Sequence, residues 1–88
     1  MTYRASITVQ TRRDPRIPRC IRESVERSGG LVECMTATWR SKASTEFIIS
    51  VLLENPERLI PLIQSVDDNR GVAVEEVGRL RRIDRVVG

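Results

Sequence analysis

The sequence predicts one small α+β domain with the order strand, helix, strand, strand, helix, strand. Three observations carry that expectation. Residues 3–10 alternate apolar and polar side chains, and residues 47–53 form the apolar run Phe-Ile-Ile-Ser-Val-Leu-Leu. Two amphipathic stretches each open on an Asp or Asn followed by Pro, soon after a strand.

Taken in order, Tyr3, Ala5, Ile7 and Val9 interleave with Arg4, Ser6, Thr8 and Gln10, the period of a strand with one buried face. Residues 11–18 hold two prolines and Asp14, and read as a loop that caps a helix starting near Pro15 or Pro18. Ile17, Cys20, Ile21, Ser24, Val25 and Ser28 then recur at helical spacing, with charged residues on the other side. Gly29 and Gly30 stop that helix, because glycine accepts the left-handed conformation of a C-terminal cap. Residues 31–40 and 45–54 are rich in strand formers, joined by a hairpin turn at Ser41, Lys42, Ala43 and Ser44. Asn55 and Pro56 start a second helix with an apolar stripe of Leu59, Ile60, Leu62, Ile63 and Val66, in which Pro61 predicts a distorted first turn. Residues 67–71 form a turn, and residues 72–77 the closing strand.

The two strand-helix-strand halves echo each other at Asp14 to Pro18 and Asn55 to Pro61. They fold most simply into a ferredoxin-like βαββαβ arrangement, a four-stranded antiparallel sheet with both helices on one face and the other face open. The domain is expected to span residues 1–78, followed by a basic tail at residues 79–88 that frays or extends a strand.

Composition narrows the function. At 88 residues with 40% hydrophobic side chains the chain supports one modest core and no second domain. Its formal charge is +3, and all but one of its 15 basic residues are Arg, a bias that reads as the habit of a GC-rich genome rather than a design for nucleic acid. No apolar run approaches the ~20 residues that span a bilayer, so the chain as given reads as a soluble domain.

The absence of histidine removes the commonest base, nucleophile partner and metal ligand. No phosphate-cradling glycine loop is present. Glu75 and Glu76 are strand neighbours that point apart, and Asp67 and Asp68 belong to a turn, so no paired-carboxylate site is expected. The chain is therefore read as binding rather than catalytic, with no cofactor and no specific magnesium site, since its acidic residues are scattered among arginines. Cys20 and Cys34 have no metal-ligand spacing and read as small apolar residues, with a disulfide between them left open.

Related folds bind RNA by stacking bases on aromatic side chains of the open face, but Ser6, Thr8, Ile48 and Ser50 occupy those positions here. Nucleic acid is therefore not the expected partner. Ile48 and Leu52 are the apolar residues of the third strand expected on the open face, where they mark a partner or weak homodimer surface. The register of the second strand is open. One pairing adds Met35, Ala37 and Trp39 to the open face, and the other turns them toward the helices.

The run Leu-Glu-Asn-Pro-Glu-Arg-Leu-Ile-Pro-Leu-Ile-Gln-Ser-Val at 53–66, followed by Gly-Val-Ala-Val-Glu-Glu-Val at 71–77, resembles the second half of an ACT-type regulatory domain. Within that group the chain is most similar to the cytosolic C-terminal domain of MgtC-family membrane proteins, across roughly residues 3 to 77, as an ordering of elements. The Arg-rich composition suits an actinobacterial, for instance mycobacterial, member.

The resemblance implies the cytoplasmic domain of a bacterial inner-membrane virulence factor needed for adaptation to low magnesium and for survival in macrophages. Its partner would be another protein or its own transmembrane part. The family's functional residues lie largely in that membrane part, so none carries over. Amino-acid-binding ACT domains place Gly in the loop after the first strand, whereas residues 11–18 have none. That departure weighs against the alternative, a free-standing ACT-like amino-acid sensor.

Overall fold

A computed structural model describes residues 1–83. It contains β1 (Thr2–Arg12), α1 (Ile17–Arg27), β2 (Gly30–Trp39), β3 (Ser44–Leu53), a 3₁₀ turn (Pro56–Arg58), α2 (Leu59–Asp67), β4 (Val72–Val77) and β5 (Arg81–Ile83). The sheet is antiparallel with spatial order β2-β3-β1-β4, and β5 also pairs with β1.

The expected four-stranded sheet therefore becomes five-stranded, for a reason of length. β1 has 11 residues and β4 only six, so β4 covers residues 7–11 of β1 and leaves its first part open on that edge. The chain continues along that edge: the Gly78 amide donates to the Ser6 carbonyl at 2.7 Å, and β5 then pairs with Thr2, Tyr3 and Arg4. Leu80 packs against the core on the way. The first part of the expected tail is thus a strand, while its residues 84–88 lie outside the described residues.

One face of the sheet is buried beneath both helices. Ala5, Ile7 and Val9 of β1 and Phe47, Ile49, Val51 and Leu53 of β3 meet Ile17, Ile21 and Val25 of α1 and Leu62 and Val66 of α2. Asn69 ties the helices together, donating from Nδ2 to Ser24 Oγ at 2.8 Å and to the Val66 carbonyl at 3.1 Å. The Val74 amide donates to Asp67 Oδ1 at 2.9 Å and fixes the start of β4 beneath the end of α2.

Helix starts differ in detail from expectation. Asn55 caps as predicted, its side chain accepting from the Glu57 amide at 2.9 Å. The Pro61 distortion is absorbed by the preceding 3₁₀ turn, and Pro61 falls in the first turn of α2, where backbone donors are least needed. Asp14 does not occupy the N-cap, which falls on Arg16 with no side-chain bond. Its carboxylate instead accepts from the Arg16 amide at 2.9 Å and shapes the loop. Cys20 and Cys34 are both free, one half-buried in the helix layer and the other on the open sheet face, so the sheet separates them.

Gly30 is the tightest point of the core. A Cβ there would lie 2.7 Å from Leu62 Cδ1, 3.1 Å from Val25 Cγ1 and 3.2 Å from Leu53 Cδ2. Gly30→Ala is expected to cost ~1–3 kcal/mol by overpacking, and Leu62→Ala ~2–5 kcal/mol by leaving a cavity. The double variant should lose less than the sum, because the new methyl enters space that Leu62 vacates. Denaturant unfolding of the three variants measures this coupling, and strict additivity would contradict it.

Candidate functional site

The centre of the uncovered sheet face is built by the outward residues of β1, β2 and β3. On β3 these are Glu46, Ile48, Ser50 and Leu52, and their β1 partners are Gln10, Thr8, Ser6 and Arg4. On β2 their partners are Thr38, Thr36, Cys34 and Leu31. The apolar part of the face lies toward the β2 edge, where Leu31 is 61% exposed beside half-buried Leu52, and Ile48 is 43% exposed. The β1 side of the same face is polar.

The register of β2 depends on a bulge. Val32 pairs with Val51 and Cys34 with Ser50, which leaves Glu33 as an extra residue. Its side chain reaches the open face, accepting from Arg4 Nε at 2.7 Å and Nη2 at 2.6 Å and from Ser50 Oγ at 2.8 Å. The Arg4 guanidinium, joined by the Ser50 hydroxyl, holds the Glu33 carboxyl below the usual carboxylate range. Beyond the bulge the alternation resumes with Met35, Ala37 and Trp39 paired to Ile49, Phe47 and Thr45, all on the helix-covered face. The structure therefore brings Ile48 and Leu52 together and places Trp39 on the opposite face of the sheet.

Trp39 nevertheless stays 71% exposed, because it lies at the end of β2 where the helix layer does not cover it. The loop between β1 and α1 faces it instead. Arg13 lies over its ring with Cζ 3.3 Å from the centroid, a cation–π contact. A cleft runs between that loop and the β2–β3 hairpin, lined by Pro15, Pro18, Ala37, Phe47, Thr45 and Trp39, with Arg13 and Asp14 at its rim. Asp14 accepts from Arg16 Nε at 3.1 Å and Nη2 at 2.9 Å and from Arg12 Nη2 at 3.2 Å. Arg16 above all, through side chain and backbone, drives the Asp14 carboxyl far below its ordinary range. Glu46 is paired with Arg40 at the base of the same hairpin.

Sequence reasoning named Ile48, Leu52 and Trp39 as candidates; the structure adds exposed Leu31 beside Leu52 and the loop that faces Trp39. Strict alternation through β2 puts Leu31, Met35 and Trp39 on one face, and only the bulge at Glu33 separates them. Among the described residues no group of three or more His, Cys, Asp or Glu is placed to hold a metal ion. No helix among them is long and apolar enough to cross a membrane.

This architecture is the ACT-like form of the ferredoxin-like fold, and known structures share it. The ACT domain from the GTP pyrophosphokinase of Chlorobium tepidum matches at 13% identity over 85% of this chain and 97% of that one, with a TM-score of 0.67. The C-terminal domain of the MgtC protein from Mycobacterium tuberculosis matches at 14% identity over 85% of this chain and 82% of that one, with a TM-score of 0.60. An unknown protein from Galdieria sulphuraria matches at 14% identity over 99% of this chain and 48% of that one, with a TM-score of 0.71. At these identities the likeness is one of fold. No protein-family model matches the chain, and no curated protein matches it.

Two outcomes follow from the open face. Converting Ile48 and Leu52 together to Ser should lower stability by less than about 2 kcal/mol, because both side chains keep solvent access. Buried positions would instead cost ~2–5 kcal/mol each. Thermal unfolding measures this, and a collapse of the fold would place both residues in the core. The lowered Glu33 carboxyl favours the folded state when ionised, so its contribution is present above the ordinary carboxylate range and lost as pH falls through the lowered value. Wild type should therefore melt above Glu33→Gln near neutral pH by a margin that closes as the pH falls below the ordinary carboxylate range. A margin independent of pH would show that the carboxylate charge contributes nothing.

Proposed function

We propose that the chain is a non-catalytic regulatory or protein-interaction domain of an MgtC-like bacterial inner-membrane protein, a virulence factor serving adaptation to low magnesium and survival inside macrophages. The observation that carries this reading is the fold shared with the MgtC C-terminal domain over most of both chains. The chemistry of the surface supports it. Glu33 and Glu46 on the open face and Asp14 in the loop after β1 are engaged by arginines. Ile48, Leu52 and Trp39 are the residues proposed to meet a partner, either another protein or the membrane part of the same one.

The coding sequence tests the reading directly. Membrane-spanning segments encoded upstream of residue 1 are the expected result. A chain that starts at Met1 with no such segments, together with saturable binding of an amino acid by calorimetry, would replace the reading with that of a free-standing ACT-like sensor.

A further inference from the structure

We propose that the cleft at Trp39 is a docking site for an acidic peptide segment of a partner protein that carries a large apolar side chain. The inference deepens the interaction-domain reading above and rests on it for the existence of a protein partner. The cleft holds about 430 Å³, room for one or two side chains rather than a folded surface. Its floor and walls are apolar: Phe47 and Ala37 from the sheet, Pro15 and Pro18 from the loop, and the exposed Trp39. Tryptophan and arginine are among the side chains in which binding energy at interfaces is concentrated.

The charge around the cleft specifies the occupant. Asp14 at the rim of the cleft is already satisfied by Arg12 and Arg16, and Glu46 on β3 by Arg40. Among the described residues, the Arg13 guanidinium lies over the Trp39 ring with no carboxylate partner, and Lys42, three residues after Trp39 in the hairpin, has no carboxylate partner either. A segment that buries an apolar side chain against Trp39 brings its flanking residues beside these two cations, so flanking Glu or Asp complements them and Lys or Arg is repelled.

β5 lies far from this cleft: Ile83 pairs with Thr2, whereas Trp39 lies level with Thr45 and so with Thr11, nine residues further along β1, ~30 Å along the strand.

Trp39 is the one tryptophan in the sequence, so its emission reports on the cleft alone. The full chain is titrated with three capped hexapeptides, Glu-Glu-Leu-Phe-Glu-Glu, its Gln-for-Glu analogue and its Ser-for-Leu-Phe analogue, and with hexauridylate. The expected result is a saturable blue shift with the first peptide only, weakened by raised salt. Arg13→Ala, shown folded by circular dichroism, should weaken it on the order of tenfold.

No saturable change with the first peptide overturns the proposal. So does equal binding of the Gln analogue, or tighter quenching by hexauridylate, which would make the cleft a base-stacking site. The coding sequence is read independently of this titration. Upstream membrane segments with no peptide binding sink only the cleft, and peptide binding without such segments sinks only the membrane-protein assignment.

Discussion

The pairing of β1 with β3 along ten consecutive residues is the constraint on which the other elements depend. Both strands are central, and their inward residues are almost fully buried, so a slip of one residue would send every core side chain to the open face. The ladder fixes where the helices rest, since Ile21, Val25, Leu62 and Val66 pack on the surface it creates. It also fixes the length of the remaining edge. A β1 long enough to match β3 is too long for β4, and β5 exists to complete that edge.

Elements whose reason lies in local periodicity were legible from the sequence. β1 and β3 alternate cleanly, α1 and α2 carry apolar stripes, and Gly29 with Gly30 marks the end of α1; Gly29 does adopt φ +88°. The elements that escaped have non-local reasons. Arg81, Arg82 and Ile83 carry no strand signal of their own, and they pair because β1 has an unfilled edge. The β2 bulge is equally silent, since Val-Glu-Cys reads as ordinary alternation. Its cause is tertiary: Glu33 gains Arg4 and Ser50 on the open face while Val32 and Met35 stay against the core.

That bulge also decides the layout of the candidate contact residues. Without it, Leu31, Met35 and Trp39 would share a face, and one broad apolar patch would join them to Ile48 and Leu52. With it, Leu31 stays outside with Leu52 while Met35 and Trp39 turn inward. The price is an ion pair between side chains that remain a third to a half exposed, an interaction of small net worth in water. What it secures is register more than energy.

Electrostatic pairing then separates arginines that belong to the fold from those that face outward. Arg4, Arg12, Arg16 and Arg40 each hold a carboxylate, and three of these four sit near the end of the sheet where Trp39 emerges. With Asp14 and Glu46 paired, Arg13 and Lys42 remain the charges beside Trp39. The apolar patch of Leu31, Ile48 and Leu52 lies across the sheet from it, so a flat partner that covers one surface leaves the other in solvent. A contact on the open face and a peptide at Trp39 are therefore sterically independent. Energetic coupling between them would have to pass through β2 and β3, the strands that contribute residues to both.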